Sequence, residues 1–301
     1  MSRTSGVEPG VAPFTEKTPR VSAARRLTRR AERDKAGRFL AEGSNALECA
    51  IELAERDPRA IHPEGVGPRQ GVGIKEVFVT ERFATRNADL LARAAQAGAR
   101  VSPVTESAAA ALSETVTPQG VITVCELLDR SLADALSGAP MLVAVLVGIA
   151  DPGNAGTVLR VADAAGADAV LFAGDSVDPY NGKAVRASAG SLFHLPIARS
   201  RVIPDVLDAC TAAGLRLVAA DAHAQVDLDD AADSGLLAEP TAWLFGSEAH
   251  GLDEATAQAA QTALRVPIHG AAESLNLAAA AAVCLYASAR GQRRRNAGAT
   301  R

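Results

Sequence analysis

The apolar run MLVAVLV at residues 141–147 constrains the fold most, because it predicts a strand with no polar face. Strands of this kind occur in parallel sheets that are covered by helices on both faces. Further strands are predicted at 169–172, 215–220 and 243–245, with helices at 155–165 and 202–213 between them. Strands that alternate with helices predict an α/β fold with an open, mostly parallel sheet. Ligands bind such sheets at the carboxyl ends of the strands.

A smaller α/β domain is predicted upstream of this sheet. Its strands are predicted at 74–80, 101–104 and 120–125, and its helices at 87–97 and 106–113. The predicted domains are therefore 21–125 and 141–291, joined by a linker at 126–140. Residues 1–20 lack apolar periodicity and are rich in Pro, Ser, Thr and Gly, which predicts a disordered tail. Residues 292–301 are expected to form a second, basic tail.

Composition narrows the class of protein. Hydrophobic residues make up 48% of the chain and aromatic residues only 3%, so the core must be built from Ala, Val and Leu. No apolar run approaches the roughly 20 residues of a membrane span, and no secretory signal precedes the first domain. The four cysteines lack metal-ligand spacing, and we expect buried thiols in a reducing, cytoplasmic compartment with no metal site.

The formal net charge of −4 hides an uneven distribution. Residues 1–42 hold ten Lys or Arg and five Asp or Glu, and residues 290–301 hold five Arg and no acid. Positive charge concentrated at the two ends can contact phosphates. Basic ends that only keep the chain in solution are an equally open interpretation.

Two strand exits near the C-terminus predict a ligand cradle built largely from backbone. The strand at 243–245 opens directly into Gly246, and a second strand, predicted at 265–268, opens into a Gly/Ala loop. Glycine allows a tight turn or a close approach to a ligand. Ser274 and Asn276 then stand where a long Ala-rich helix begins, and both residue types cap helices well.

Motifs for the common nucleotide cofactors are missing from this sheet. No GxGxxG follows the strand at 141–147, where Pro152 interrupts the turn, and no GxxxxGK[ST] is present. The sequence therefore gives little support for a nicotinamide-dependent oxidoreductase.

Three motifs in a fixed order identify a family. NxGTxxR at 154–160, FGSExxGL at 245–252 and ESLNLAxAxAxxLY at 273–286 resemble the SpoU (TrmH-like) branch of the SPOUT RNA methyltransferases, over residues 138–290. The segment RFLAEGSNALECAI at 38–51 is similar to the substrate-binding domain that many of these enzymes carry. The chain also resembles the thiostrepton-resistance type of ribosomal RNA methyltransferase.

The resemblance implies a fold and a reaction. The C-terminal sheet is expected to contain a deep trefoil knot, and the first domain to be a small RNA-binding domain like those of ribosomal proteins. The implied reaction transfers a methyl group from S-adenosylmethionine to a ribose 2′-hydroxyl, with 23S ribosomal RNA favoured over transfer RNA. A homodimer is implied as well. The alternatives are a transfer RNA enzyme and an RNA-binding module that has lost the chemistry.

The resemblance also assigns residues. Arg160 is the catalytic candidate, although an arginine on an exposed helix would look the same in sequence. Asn154, Glu248, Ser274 and Asn276 are expected at the reaction centre, although each could instead cap a helix or complement a helix dipole. Cofactor contacts are expected at Gly246, Ile268 and Leu277, and RNA contacts at Arg38 and Arg186. The Gly/Pro loop at 57–73 is either an arm over the RNA or a tolerated insertion.

Overall fold

A computed structural model describes residues 12–56 and 73–299 of the 301-residue chain. The predicted loop at 57–73 therefore lies almost entirely outside the described residues. The chain divides into two compact units, the first formed by Met1–Leu128 with Tyr180–His194 and the second by Asp129–Pro179 with Leu195–Arg301. The second unit is interrupted once, where the chain leaves it to complete the first.

The first unit is a four-stranded mixed sheet with helices. Its strands are β1 (Arg38–Glu42), β2 (Ile74–Val79), β3 (Arg100–Pro103) and β4 (Val121–Glu126), in the order β1-β4-β2-β3. Its helices are α1 (Pro19–Arg26), α2 (Arg30–Ala36), α3 (Ser44–Arg56), α4 (Glu81–Arg86), α5 (Ala88–Gln96) and α6 (Glu106–Leu112). Strand β4 pairs antiparallel with both β1 and β2, and only β2 and β3 run parallel.

The second unit is a seven-stranded parallel sheet covered by helices. Its strands are β5 (Leu142–Val147), β6 (Ala169–Ala173), β7 (Ile197–Ser200), β8 (Arg216–Ala220), β9 (Val226–Asp227), β10 (Thr241–Phe245) and β11 (Thr262–Arg265). Its helices are α7 (Leu132–Ala135), α8 (Pro152–Ala165), α10 (Ile203–Ala212), α11 (Leu228–Asp233), α12 (Glu254–Ala259) and α13 (Leu277–Ala299). The strand order is β7-β6-β5-β10-β8-β11-β9, and every pairing is parallel. The predicted mostly parallel sheet is confirmed.

Burial explains why these runs form the centre of the second unit. Every residue of β5, β6 and β10 is buried, as the unbroken apolar runs require. The only tryptophan, Trp243, lies in β10, and its indole N–H donates to Ser288 Oγ of α13 over 2.9 Å. Because Trp243 and Ser288 are both fully buried, this hydrogen bond satisfies two polar groups that would otherwise destabilise the core.

The segment that crosses to the first unit contains α9 (Gly182–Ser188). The Tyr180 hydroxyl accepts a hydrogen bond from Leu128 N over 2.9 Å. The Phe39 ring of β1 lies 4.8 Å from the Tyr180 ring and 6.0 Å from the Phe193 ring, measured between centroids. Residues 180–194 therefore supply aromatic core to the first unit, although β6 and β7 on either side belong to the second.

Part of the N-terminal tail predicted at 1–20 is ordered in the structure. Residues 1–11 lie outside the described residues, but Phe14 N donates to Pro103 O over 2.8 Å, and Thr105 N donates to Phe14 O over 2.9 Å. Helix α1 then begins at Pro19 and buries Val21. The hydrogen bonds of Phe14 at the edge of the sheet order this segment. Its Pro- and Thr-rich composition gave no sign of that order.

The basic tail predicted at 292–301 is helical as far as Ala299, because α13 continues through it. The Gln292 side chain is buried and donates to Met141 O over 2.7 Å and to Glu239 O over 3.1 Å. The Arg293 guanidinium donates to Ala165 O, at the end of α8, over 3.1 Å. Part of the terminal positive charge therefore satisfies helix carbonyls and is not available to phosphates.

The four cysteines, Cys49, Cys125, Cys210 and Cys284, are buried and free, as the sequence predicted. Burial raises the pKa of Cys210 and of Cys284 to about 12, so both thiols stay protonated at neutral pH. Among the described residues, no helix combines the length and the hydropathy needed to cross a membrane.

Candidate active site

A cavity of about 790 Å³ lies at the carboxyl ends of β8, β10 and β11. Residues from three segments line it, at 219–223, 245–252 and 264–277. All three belong to the second unit. A cavity of this size can hold a nucleoside-sized ligand, and its place at the strand ends is where open α/β sheets bind ligands.

One wall of the cavity is a tight turn that requires glycine at its base. Ser247 N donates to Gly251 O over 3.0 Å, and Gly251 N donates to Ser247 O over 2.8 Å. The turn folds back so closely that a Cβ on Gly246 would lie 2.2 Å from the Gly251 carbonyl carbon. Backbone atoms cannot yield as a flexible side chain can, so only glycine fits at position 246 with the turn in this place.

The opposite wall is the segment between β11 and α13. The strand predicted at 265–268 ends at Arg265 in the structure, and Pro267, which has no N–H to donate to a sheet, lies in the following loop. The amide N–H groups of Ile268 and Leu277 make no hydrogen bond within the part of the chain that the structure describes. Both residues line the cavity, so unpaired backbone donors are available there.

Asn276 caps α13 and Ser274 does not. Asn276 Oδ1 accepts from Ala278 N over 2.9 Å, leaving its amide nitrogen free for another acceptor. Ser274 is exposed and lies two residues outside that cap, against the cavity. The capping alternative is therefore wrong for Ser274 and right for Asn276.

Three side chains predicted at the reaction centre form one hydrogen-bonded chain, the amide chain. Asn276 Nδ2 donates to Asn154 Oδ1 over 3.1 Å, and Asn154 Nδ2 donates to Glu248 Oε1 over 2.7 Å. The three residues come from the start of α13, the first turn of α8 and the turn after β10. Because Asn154 accepts on one side and donates on the other, the orientation of its amide is fixed.

The first turn of α8 frees Asn154 for this role. Asp151 is the N-cap, and its Oδ1 accepts from Asn154 N over 2.8 Å, while Pro152 occupies the first helical position. Proline is favoured there because the first N–H of a helix has no partner. The interpretation of Asn154 as the cap of this helix is therefore wrong.

Arg160 lies on the exposed side of α8, away from the amide chain. It is six residues beyond Asn154, which is about 9 Å along a helix axis. Its guanidinium makes no ion pair or hydrogen bond with any described residue. The cation therefore needs no protein partner in this structure, because its side chain is exposed to solvent.

The two predicted RNA contacts belong to the first unit. Arg38 begins β1 and is exposed, with no ion pair in the described ranges. Arg186 of α9 is half-buried and lies 3.4 Å from the Glu114 carboxylate. A phosphate at Arg186 would therefore have to compete with Glu114.

Sequence reasoning missed two residues that line the cavity, Asp221 and His223. Both are exposed and directly follow β8. Their signal was available, because they follow a predicted strand at the edge where the motifs also lie. The lining holds three carboxylates, of Asp221, Glu248 and Glu273, and no Lys or Arg. Within residues 12–56 and 73–299, no three His, Cys, Asp or Glu side chains are grouped to bind a metal.

Known proteins resemble both parts of the chain. Residues 141–286 match the SpoU rRNA Methylase family, and residues 68–130 match a domain described as RNA 2′-O ribose methyltransferase substrate binding. A relative named 23S rRNA (guanosine(2553)-2′-O)-methyltransferase RlmP, from Bacillus subtilis (strain 168), is 32% identical over 270 residues, covering 90% of this chain and 96% of its own.

Solved structures resemble the whole chain as well. An AdoMet-bound rRNA methyltransferase from Sinorhizobium meliloti superposes with a TM-score of 0.75 at 29% identity, covering 93% of this chain and 97% of its own. The SpoU methyltransferase AviRb from Streptomyces viridochromogenes, in complex with AdoMet, gives a TM-score of 0.74 at 28% identity, covering 92% and 99%.

Proposed function

The chain belongs to the SpoU rRNA methylase family, and from that premise we propose its substrate and the roles of its residues. It is an S-adenosylmethionine-dependent RNA methyltransferase that acts on a ribose 2′-hydroxyl, and its proposed substrate is 23S ribosomal RNA. The observation that carries the site assignment is the amide chain, whose two ends, Asn276 and Glu248, line the cofactor cavity and whose middle residue, Asn154, lies in the first turn of α8.

The cavity fits S-adenosylmethionine in size, donors and charge. Gly246 brings backbone close to the ligand, and the unpaired N–H groups of Ile268 and Leu277 would hold the adenosyl part. The lining offers carboxylates and no Lys or Arg, which suits a cationic sulfonium. When bound, the cofactor supplies an electrophilic methyl group on a neutral leaving thioether.

The protein must orient the ribose 2′-hydroxyl of the RNA and remove its proton, because that hydroxyl is a weak acid. Asn154 and Asn276 supply polar groups of fixed orientation next to the cavity, and Glu248 holds Asn154 in place. Arg160, exposed and unpaired among the described residues, is available to bind a substrate phosphate and stabilise the developing alkoxide. Ser274, exposed at the cavity, completes this set of proposed catalytic residues.

The first unit is the proposed RNA-binding domain, but fewer of its cations are available than the sequence suggested. Arg33 is buried and donates to Leu27 O and Thr28 O, each over 2.9 Å. Arg20 pairs with Glu76. Exposed cations without an ion pair in the described segments include Arg25, Arg29, Lys35 and Arg38, which are close together in the sequence. These, with Arg186, form the proposed contact surface.

A homodimer is proposed from the outer face of α13. Val283 is 41% exposed and Tyr286 49% exposed, on the side of the helix that does not pack on the sheet. Large apolar side chains at helical spacing on a surface are typical of an interface. A cytoplasmic location follows from the proposed ribosomal substrate, and cell fractionation would check it.

We predict that the protein transfers labelled methyl from S-adenosylmethionine to 23S rRNA, and that Arg160 is needed for it. Lysine keeps the charge of arginine but not its planar fork. Arg160→Lys should abolish most single-turnover methyl transfer and Arg160→Ala nearly all of it. Calorimetry should find cofactor affinity nearly unchanged, and stability should change by no more than about 0.5 kcal/mol, as for other exposed positions.

Three outcomes would contradict these assignments separately. Near-normal turnover in Arg160→Ala would remove Arg160 from catalysis and leave Asn154 and Asn276 as the candidates. Labelling of transfer RNA in place of 23S rRNA by the unmodified chain would replace the proposed substrate. No labelling of either RNA, with cofactor bound, would favour an RNA-binding module.

We predict that removing free cations from α1 and its C-terminal end reduces the salt dependence of RNA binding. Each phosphate contact contributes roughly one unit to the slope of log affinity against log salt. Arg25→Gln with Arg29→Gln should therefore flatten the slope by about two units in a filter-binding titration. The control is Arg216→Gln, an exposed arginine at the amino end of β8. An equal effect in the control would refute the proposed surface.

We predict that the α13 face holds two copies together. Tyr286→Glu should convert a dimer at micromolar concentration into a monomer, because a carboxylate buried in an apolar interface is strongly unfavourable. Light scattering measures the mass, and Arg294→Glu, on an exposed part of the same helix, is the matched control. A monomeric unmodified protein would rule out the proposal.

A further inference from the structure

Asp221 lines the same cavity as Glu248 and Asn276, but it follows a different strand. It directly follows β8, which pairs with β10 on one side and β11 on the other. Its backbone N–H donates to Leu264 O over 3.0 Å, continuing the ladder one residue past the strand. The residue is therefore placed by the sheet itself and not by a loose loop.

The Asp221 carboxylate is oriented by the turn that follows it. Its Oδ1 accepts from His223 N over 2.9 Å, and its backbone carbonyl accepts from Ala224 N over 3.2 Å. The second carboxylate oxygen accepts no hydrogen bond from the described part of the chain. One oxygen thus anchors the side chain, and the other is available to a donor in the cavity that Asp221 lines.

The sheet order sets which part of the cofactor Asp221 can reach. Asn154 lies beyond the end of β5, and β10 separates β5 from β8. Neighbouring strands are about 4.8 Å apart, so Asp221 stands about 10 Å across the sheet from the β5 end. The sulfonium must be at the Asn154 side for transfer. Asp221 therefore faces a part of the ligand that carries no reacting atom.

The nearest neighbour of Asp221 across the sheet indicates that part. Phe245 pairs with Ala220, so Gly246 and Asp221 are the next residues on adjacent strands. Gly246 is the position that brings backbone close to the cofactor in the proposed site. A carboxylate beside such a backbone, at the end of a parallel strand, is suited to accept hydrogen bonds from ribose hydroxyls.

We propose that Asp221 is a positioning residue that binds the 2′,3′-diol of the cofactor's ribose. The inference rests on the proposed function of this cavity. By fixing the ribose, whose C5′ carries the sulfonium, Asp221 sets where the methyl group lies relative to Asn154. Contact with the amino-acid end of the cofactor is the competing interpretation.

The test uses ligands that separate these two parts. Calorimetry on the full chain compares S-adenosylmethionine with 5′-methylthioadenosine, which keeps the ribose but has neither the amino acid nor the charge, and with its 2′-deoxy form. Asp221→Ala should weaken the first two about tenfold, as loss of a charge-assisted hydrogen bond does. The 2′-deoxy ligand should bind the unmodified chain more weakly than methylthioadenosine does. Its affinity should also fall less when Asp221 is replaced by Ala. Asp221→Asn keeps a hydrogen-bond acceptor, so its affinity should lie between those of the unmodified chain and Asp221→Ala.

Controls make each outcome decisive. Asp208→Asn removes an exposed carboxylate of α10 that does not line the cavity, and it should change no affinity. Loss of affinity for S-adenosylmethionine but not for methylthioadenosine would overturn the ribose contact in favour of the amino-acid end. Unchanged binding of both ligands in a folded Asp221→Ala variant would overturn any contact. If the unmodified chain bound no adenosyl ligand, the cofactor assignment itself would fail.

Discussion

The amide chain is the interaction on which the geometry of this site depends. It joins three segments that are distant in sequence, since Asn154 and Asn276 are 122 positions apart. The bond from Asn154 to the Glu248 carboxylate, at 2.7 Å, is charge-assisted and stronger than one between neutral groups. A carboxamide held from both sides cannot rotate to exchange its donor and acceptor. The geometry offered to a substrate is therefore set before the substrate arrives.

The parallel sheet makes this convergence possible. Strands β5 and β10 are adjacent, so the residues that follow them emerge side by side at one edge. Cavity and amide chain both occur at that edge, where backbone groups are no longer paired within the ladder. Gly246 shows how closely the elements approach, since one added carbon would collide with the Gly251 backbone. Small residues at the strand exits thus reflect packing of main chain against main chain.

The sequence predicted the second unit well, because buried parallel strands are unbroken apolar runs and their order along the chain implies the edge that carries ligands. It also predicted which side chains to examine at that edge. It did not predict that Asp151 caps α8 in place of Asn154, because both residue types cap helices. Nor did it show that residues 180–194 complete the first unit, since apolar side chains do not indicate which core they join. The terminal arginines were misjudged for a related reason: Arg293 satisfies a helix end, a role that charge counting cannot detect.

The number of Lys and Arg residues does not show how many cations can bind phosphate, because some of them already have a partner within the protein. Arg33 and Arg20 carry the same charge as Arg25 and Arg29, but they are held by carbonyls and by Glu76. Only the exposed, unpaired cations of the described chain can exchange water for phosphate without breaking a protein contact. The same distinction separates Arg160, which is exposed and unpaired among the described residues, from Arg186, which already has Glu114 beside it.

A double-mutant cycle on Asn154 and Glu248 tests most directly whether the amide chain holds Asn154 in place for catalysis. If Glu248 acts through Asn154, then Glu248→Ala should slow single-turnover methyl transfer in the unmodified chain and have little further effect once Asn154→Ala is present. The expected coupling is about 1–2 kcal/mol, within the range for residues that share a hydrogen bond. Melting temperatures of all four proteins establish that each is folded. Additive losses in the double variant would show that the two side chains act independently, and the amide chain would then have no role in catalysis.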